Sequence, residues 1–383
     1  MREVRKLAIT CGGTGGHFYP GLSLARTVLT RGGETVLLLG GKNSVRQAEI
    51  ARSCGVKAVI LPYMPPPSFR SPGSCWRFLR GALAGKKQAY RFLREFQPEA
   101  LLGMGSFASL PAVWGALNAN VPVFLHDGNA RVGRANRRFS RYAGALGTAF
   151  PAVNASACRC RCRVETTGMP LRPELAGQRM ERGAAMRALT ERYGGQLDPE
   201  RFTILIFGGS QGARRLNEAF GSAVKMLVAA GRPLQVIHLT GPGEFETVSA
   251  FWRGSGVPGV VLPSLAEMGW AYSAADLVVA RSGGSSVAEI HAFGKYAVVV
   301  PYPYASELHQ NDNAEYLVKL GAAEMLPNEL VTPELARKTL ERLASCPEKL
   351  AEAGRNAVSP EAWLGCEKTL ALIAEGLAHE TRK

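Results

Sequence analysis

Four loops rich in small residues carry the groups in this sequence that could do chemistry. Each follows an apolar run and precedes an amphipathic pattern: "CGGTGGH" (11–17), "GMGSF" (103–107), "GGSQGA" (208–213) and "RSGGSS" (281–286). A glycine-rich turn that opens a helix presents free backbone N–H groups and the positive end of the helix dipole. The four loops are therefore candidate sites for phosphate.

The residues of these loops do not match two well-known phosphate-binding motifs. A P-loop requires Lys followed by Ser or Thr after its last glycine, and none of the four loops has that pair. A dinucleotide fold requires an acidic residue at the end of the second strand, where this chain has Gly40 and Gly41.

A nucleoside diphosphate fits the loops better. "GGSQGA" would hold the diphosphate, with Ser210 as a hydroxyl donor. Glu289 lies about one helical turn beyond the fourth loop, where a carboxylate can accept from both hydroxyls of a ribose. The alternatives are a solvated carboxylate at position 289 and glycine loops that serve tight packing alone.

Composition limits the class of protein. The chain has 383 residues, 46% of them apolar, and a formal net charge of +15. This length predicts two domains, and the charge favours an anionic partner such as a phosphorylated substrate, anionic lipid or nucleic acid. Nucleic acid is disfavoured because the arginines follow no known RNA-binding signature.

The sequence predicts neither a signal peptide nor a membrane span. The N-terminal apolar run is too short for a signal peptide. Prolines and glycines within the uncharged residues 101–125 predict buried core rather than a membrane span.

The cysteines predict reduced thiols of a cytosolic protein. Cys158, Cys160 and Cys162 alternate with arginines in "CRCRCR", a poor ligand set for a metal ion. Their role stays open.

Strand and helix patterns alternate along the whole chain, and the alternation starts again near residue 201. This layout predicts an α/β protein with two doubly wound, Rossmann-like parallel-sheet domains that face each other across an interdomain cleft. All four small-residue loops then fall at the carboxyl ends of strands, where such sheets bind ligands.

The motifs "GGTGGH", "GGSQGA", "RSGGSSVAEI" and "HQNDNA", in this order between residue 7 and about residue 325, resemble those of the MurG family. The resemblance implies the GT-B architecture and an inverting transfer of GlcNAc from UDP-GlcNAc to the C4 hydroxyl of MurNAc in lipid I, which gives lipid II. It also implies an acceptor- and membrane-binding domain (1–168), a UDP-GlcNAc-binding domain (169–361) and a last helix (362–383) that packs back on the first domain. The protein would be peripheral, on the cytoplasmic face of the bacterial plasma membrane.

The resemblance also assigns residues to the donor. The residues implied to bind UDP-GlcNAc are Thr14, Gly15, Gly16, Asn129, Arg172, Ser210, Gln211, Gly212, Leu265, Glu289 and Gln310. Gly13, Gly105 and Ser106 are expected in the loops that face the acceptor and its diphosphate.

The chain departs from the family pattern at four places. "HDGN" replaces "HEQN", Phe107 replaces a tyrosine, His309 replaces the first of two glutamines, and "GMP" replaces "GNP". Two of these changes lie in N-terminal loops that are expected to face the acceptor and the reacting centre.

Two residues are candidates for the base that removes the proton from the C4 hydroxyl. His17 stands near a helix N-terminus, which favours the neutral imidazole that a general base requires. Asp127 is the other candidate, either as the base itself or as a residue that orients His17. His17 could instead be a structural residue at a helix start. The sequence has no Asp-x-Asp motif, so no metal and no other cofactor is predicted.

A basic segment predicts contact with an anionic membrane. From Arg70 to Arg94 the chain has seven basic residues and no acidic one. Apolar and basic side chains alternate at helical spacing, as in an interfacial helix: Trp76, Leu79 and Leu83, with Arg77, Arg80, Lys86 and Lys87 around them. The alternative is that the apolar three pack inward. A second basic face follows "HDGN": Arg131, Arg134, Arg138 and Arg141.

Four other functions remain open at this point. They are a glycolipid synthase, a UDP-GlcNAc 2-epimerase, an inactive relative of the family and a basic nucleic-acid-binding protein.

Overall fold

The computed structural model describes residues 3–65, 72–151, 159–209, 213–304 and 309–380. The chain divides into two compact units, residues 1–172 together with 363–383, and residues 173–362. The first division thus lies four residues beyond the 168/169 boundary that the sequence suggested. Each unit is built on its own parallel sheet.

The described residues of the first unit form a seven-stranded sheet in the order β3-β2-β1-β4-β5-β6-β7. The strands are β1 (Lys6–Gly12), β2 (Glu34–Gly40), β3 (Lys57–Ile60), β4 (Ala100–Gly103), β5 (Val123–Asp127), β6 (Ala145–Thr148) and β7 (Arg163–Thr166). All neighbours are parallel. Strand order reverses between β1 and β4, which opens a crevice at their carboxyl ends.

The helices of this unit cover both faces of its sheet. They are α1 (Gly15–Thr30), α2 (Ser44–Ser53), α3 (Pro72–Phe96), α4 (Leu110–Asn118), α5 (Arg134–Phe139) and the C-terminal helix (Gly365–Glu380), with 3₁₀ turns at Phe107–Ser109 and Ser140–Tyr142. The C-terminal helix contributes buried Ile373 to the same core as Leu7 and Phe124. A Cβ on Gly376 would lie 2.3 Å from the Phe124 ring, so glycine permits this close approach.

The described residues of the second unit form a six-stranded parallel sheet in the order β10-β9-β8-β11-β12-β13. The strands are β8 (Phe202–Phe207), β9 (Leu234–Leu239), β10 (Gly259–Leu262), β11 (Leu277–Ala280), β12 (Ala297–Val299) and β13 (Ala323–Met325). Here the order reverses between β8 and β11, and the third and fourth small-residue loops follow these two strands.

Nine helices lie among the described residues of the second unit. They are α6 (Pro173–Gly177), α7 (Arg182–Tyr193), α8 (Arg214–Ala229), α9 (Phe245–Trp252), α10 (Met268–Ala274), α11 (Gly284–Ala292), α12 (His309–Lys319), α13 (Pro333–Ala344) and α14 (Pro347–Ala357), with 3₁₀ turns at Asn328–Leu330 and Pro360–Trp363. α7 packs on this unit. Its Leu189 is buried, and the Arg182 guanidinium pairs with Asp276 at 2.8 Å.

The uncharged stretch 101–125 folds as predicted. It contains the end of β4, the helix α4 and the start of β5, and Leu102, Val113 and Phe124 within it are buried. In the ranges that the structure describes, no helix is both long and apolar enough to cross a membrane.

Candidate active site

The first glycine loop is closed tightly against the end of β2. Gly12 has φ +133°, and a Cβ there would lie 2.2 Å from the carbonyl oxygen of Gly40. Gly13 N–H donates to that same oxygen (3.2 Å), and Asn43 Nδ2 donates to the Gly13 carbonyl (2.8 Å). α1 begins at Gly15 with no acidic residue in its first turn. The positive end of the helix therefore stays uncompensated by its own side chains.

His17 is held at one ring nitrogen by the loop that precedes it. Thr14 Oγ1 lies 3.0 Å from His17 Nδ1. A Cβ on Gly105 would lie 3.6 Å from His17 Nε2, so this second nitrogen faces the loop after β4. When the Thr14 hydroxyl accepts from Nδ1–H, the lone pair is on Nε2, which is the form that can act as a base.

The loop after β4 borders the first glycine loop. Gly105 and Ser106 both have positive φ, +85° and +66°, and Ser106 Oγ accepts from Ala108 N–H at 3.1 Å. A Cβ on Gly13 would lie 3.9 Å from Ser106 Oγ. The structure thus brings Gly13, Gly105, Ser106 and His17 together at the crevice between β1 and β4.

Asp127 anchors a loop rather than a histidine. Its side chain is 4% exposed and accepts four hydrogen bonds. Oδ1 accepts from Asn129 N–H (3.1 Å) and Asn129 Nδ2 (3.2 Å), and Oδ2 accepts from Gly133 N–H (2.8 Å) and Asn136 Nδ2 (2.9 Å). Among the described residues Asp127 makes no hydrogen bond with His17. Both carboxylate oxygens are engaged by residues 129–136, and the role of Asp127 as base or as a residue that orients His17 stays a prediction.

Asn136 is a residue of this region that the sequence did not single out. Besides Asp127, its Nδ2 donates to the His126 carbonyl at 3.0 Å. The same nitrogen would lie 3.2 Å from a Cβ on Gly105, so it borders the position that His17 faces. Asn136 reaches this region through its hydrogen bond to Asp127, nine residues earlier in the chain, and no sequence pattern indicates that contact.

Three further predicted donor residues belong to the first unit. Gly15 and Gly16 open α1, and the Arg172 guanidinium lies 5.7 Å from the centroid of the Tyr19 ring. Arg172 was expected within the C-terminal domain, but it is the last residue of the first unit before the chain crosses over.

The predicted diphosphate loop lies mostly outside the described residues. Ser210, Gln211 and Gly212 are among the residues that the structure does not describe. Before them Gly209 has φ +81°, and after them α8 begins at Arg214 with no acidic residue in its first turn. The helix N-terminus that follows β8 thus has the polarity that an anion requires.

Glu289 stands on α11, directly after the fourth loop. α11 begins at Gly284, also without an acidic residue in its first turn. Glu289 is half-buried, and its Oε2 accepts a hydrogen bond from the hydroxyl of Tyr272 at 3.0 Å. Tyr272 itself is fully buried and was not predicted to take part in the site.

Gln310 is tied to the same loop. Its carbonyl accepts from Ser282 Oγ (2.8 Å), its Oε1 accepts from Tyr302 N–H (2.9 Å), and Asn313 Nδ2 donates to the Ser282 carbonyl (3.1 Å). These bonds fix α12 against the residues that precede α11. Leu265 is buried in the segment between β10 and α10.

A buried cation adds to the positive potential at the end of β11. Arg281 is 9% exposed and donates to the carbonyls of Val300 and Pro301 and to Asn328 Oδ1. Burial lowers the pKa of this guanidinium from its ordinary value. A guanidinium nevertheless remains charged at neutral pH, so the fourth loop begins with a fixed positive charge.

The apolar residues of α3 face solvent. Trp76, Leu79 and Leu83 are 61%, 55% and 57% exposed, and the Arg80 guanidinium lies 5.3 Å from the centroid of the Trp76 ring. α3 packs on its unit through other residues, among them buried Ala82 and Leu93. The alternative in which Trp76 and the two leucines pack inward is therefore wrong.

The cysteine run shows no metal site in the part that is described. Cys158 lies outside the described residues, and the Cys160 and Cys162 thiols are half-buried. Burial raises the pKa of the Cys162 thiol to about 11. No group of three or more His, Cys, Asp or Glu side chains in the described ranges could hold a metal ion.

Comparison with known proteins gives the family. The model of the glycosyltransferase family 28 N-terminal domain matches residues 7–148, and the model of the C-terminal domain matches residues 203–366. A relative from Pelobacter propionicus is 34% identical over 366 residues, which cover 92% of this chain and 95% of the relative. One from Nitrosococcus oceani is 36% identical over 343 residues, with coverage of 89% and 90%. Both are named UDP-N-acetylglucosamine–N-acetylmuramyl-(pentapeptide) pyrophosphoryl-undecaprenol N-acetylglucosamine transferase. The chain belongs to the MurG family of glycosyltransferases.

A solved structure agrees with this family. The crystal structure of Acinetobacter baumannii MurG is 27% identical, with a TM-score of 0.72 and coverage of 97% of this chain and 99% of that chain. The predicted fold class, two Rossmann-like domains of the GT-B type, is confirmed. The predicted enzyme class, a glycosyltransferase, is confirmed as well.

Proposed function

We propose that this protein transfers GlcNAc from UDP-GlcNAc to the C4 hydroxyl of MurNAc in lipid I, an undecaprenyl-pyrophosphoryl-MurNAc-peptide. The products are UDP and lipid II, the disaccharide precursor of peptidoglycan. The observation that carries the proposal is identity of 34% over 92% of the chain with a relative named for this activity. The second unit binds the donor in this proposal, and the first unit binds the acceptor.

The donor site combines two helix N-termini with side chains around them. The N-termini of α8 and α11 lack acidic residues and suit the diphosphate. In this proposal Glu289 accepts from the ribose hydroxyls, and Gln310, whose carbonyl accepts from Ser282 Oγ, contacts the sugar. Leu265 offers its backbone to the uracil.

The reaction is a single in-line displacement. The C4 oxygen of the acceptor attacks the anomeric carbon from the face opposite UDP, so the α linkage becomes a β-1,4 linkage. His17 Nε2 takes the proton from the C4 hydroxyl, and the electron pair of the broken C–O bond leaves on the UDP oxygen. Backbone amides at the helix N-termini stabilise that charge. The scheme includes no metal ion and no other cofactor, in keeping with the missing Asp-x-Asp motif.

One assay tests this function. Purified protein is incubated with UDP-GlcNAc and a short-chain lipid I analogue, with and without EDTA. We expect UDP release and a β-1,4-linked disaccharide lipid in both samples. Epimerised UDP-sugar without a disaccharide would favour an epimerase, and no consumption of either substrate would favour an inactive relative.

We also propose that α3 places the protein on an anionic membrane, at the cytoplasmic face of the plasma membrane. The support is the exposed group of Trp76, Leu79 and Leu83 with basic neighbours on a helix that has no acidic residue before Glu95. Each basic residue near an anionic bilayer contributes about 1 kcal/mol, and salt weakens that attraction.

A charge-matched pair of variants tests the membrane contact. Trp76→Ala with Arg77→Glu and Arg80→Glu should abolish co-sedimentation with anionic vesicles and leave UDP binding intact. Arg46→Glu with Arg52→Glu makes the same change in charge on exposed α2 residues and should keep most of the binding. Equal losses in both variants would mean that net charge, and not α3, governs the contact.

A further inference from the structure

The hydroxyl of Tyr272 lies within the second unit, where it meets the carboxylate of Glu289. The donor–acceptor distance from Tyr272 Oη to Glu289 Oε2 is 3.0 Å, and Tyr272 has no exposed surface. A buried phenol needs a hydrogen-bond partner, and an ionised carboxylate is among the strongest acceptors available. The bond therefore restrains both side chains.

Two aromatic rings fix the position of the phenol. The Tyr272 ring stacks on Phe293, with centroids 5.0 Å apart and an interplanar angle of 29°. It meets Phe207 edge-on, with centroids 6.1 Å apart at 80°. Phe207 ends β8, immediately before the third loop, and Phe293 follows α11. The hydroxyl thus has a position set by the elements that carry the third and fourth loops.

This restraint matters for a carboxylate that has to meet two hydroxyls at once. A glutamate side chain has three rotatable bonds, and ordering it on binding a ligand costs free energy. A carboxylate offers about four acceptor positions, so the phenol and two vicinal hydroxyls can be accommodated together. A phenol bound to Oε2 before the ligand arrives removes part of the ordering cost.

We propose that Tyr272 is a positioning residue for the nucleotide ribose. It holds the Glu289 carboxylate in the orientation that accepts from the 2′ and 3′ hydroxyls, and it does not itself touch the ligand. This inference rests on the proposed function, in which Glu289 binds the ribose of the donor.

The test compares two ligands by calorimetry, UDP and 2′,3′-dideoxy-UDP. Tyr272→Phe should weaken UDP binding about five- to tenfold, because binding then has to order a glutamate side chain that the phenol no longer holds. It should leave the affinity for 2′,3′-dideoxy-UDP unchanged, because that ligand has no hydroxyl for Glu289 to accept from. In turnover, KM for UDP-GlcNAc should rise by the same factor while kcat stays within about twofold.

Tyr296→Phe is the matched control. The Tyr296 hydroxyl donates to Glu324 Oε1 at 3.3 Å in the same unit, and neither residue belongs to the proposed site. This variant also deletes one hydroxyl from a Tyr–Glu pair. It should leave the affinities for both ligands within about twofold of the wild type.

Glu289→Ala separates a failure of this inference from a failure of the donor assignment. A loss of UDP affinity in Glu289→Ala with none in Tyr272→Phe would overturn the positioning role and leave the donor assignment standing. Unchanged UDP affinity in Glu289→Ala would overturn both. Equal weakening of the two ligands by Tyr272→Phe would show a packing role only. Tyr272→Phe added to Glu289→Ala should have no further effect on UDP affinity, which would support the proposal.

Discussion

Replacement of Asp127 by asparagine distinguishes a loop anchor from a catalytic carboxylate. In the wild type each carboxylate oxygen accepts two hydrogen bonds, all from N–H groups of residues 129–136. An asparagine presents one oxygen and one NH₂ group. Whichever way the amide is turned, its NH₂ group faces two donors and cannot accept from them.

The expected loss of stability follows from that count. Two hydrogen bonds to a charged acceptor disappear, each contributing about 1.5 kcal/mol or more, so Asp127→Asn should destabilise the first unit by about 3 kcal/mol. Because the side chain is 4% exposed, water cannot replace the lost partners. For a domain of about 150–250 residues this corresponds to a Tm lower by about 6–12 °C.

The assay pairs thermal unfolding with turnover, and Glu99→Gln is the control. Glu99 Oε1 accepts from both Arg5 N–H (2.7 Å) and Lys6 N–H (3.0 Å). Because one oxygen accepts both hydrogen bonds, the carbonyl oxygen of a glutamine can keep them. The Tm of Glu99→Gln should therefore fall by less than about 3 °C.

The reasoning fails if Asp127→Asn melts within about 2 °C of the wild type. Turnover lower by about 100-fold in such a well-folded variant would show that the carboxylate acts on the reacting groups. Loss of turnover together with the expected loss of stability would instead show that residues 127–136 must be held in place for His17 and its neighbours to work.

Three further outcomes follow from particular residues. His17→Ala should lower kcat by about 100-fold or more while calorimetry shows unchanged UDP affinity, and a parallel loss of affinity would remove His17 from the role of base. Burial lowers the pKa of His238 to about 3, so between pH 6.5 and 3 the unfolded chain binds a proton that the folded unit excludes. His238 should therefore contribute a fall of about 2 kcal/mol in the stability of the second unit from pH 7 to pH 5 in urea unfolding, and His238→Gln, which cannot titrate, should remove that contribution. Gly12→Ala should destabilise the first unit by about 3 kcal/mol or more, because its Cβ meets the Gly40 oxygen at 2.2 Å, whereas Gly32→Ala, with φ +75° and nothing within 4 Å, should cost about 1 kcal/mol. Similar melting temperatures for the two glycine variants would contradict the steric argument.

Local patterns in the sequence predicted the central strands of both sheets. Apolar runs followed by small residues predict β1, β4, β8 and β11. The further apolar runs "ETVLLLG", "VPVFLH", "LQVIHLT" and "YAVVVPYP" predict β2, β5, β9 and β12. These strands are buried on both faces, so most of their residues are apolar. The strands β3, β6, β7, β10 and β13 were not predicted, and all of them except β6 lie at a sheet edge. An edge strand has fewer covered positions, and the half-exposed "RVET" of β7 accordingly contains a single apolar residue.

The sequence by itself determined the kinds of groups in the site. Glycines at 12 and 13 allow the turn after β1, and His17 and Glu289 stand at fixed distances from glycine loops along the chain. Only the tertiary structure decided which side chains hold these groups. Tyr272 reaches Glu289 from another helix, and Asn136 joins Asp127 beside the position that His17 faces. Such contacts depend on how helices pack across a sheet whose strand order is not the chain order, so they leave no periodic or local pattern in the sequence.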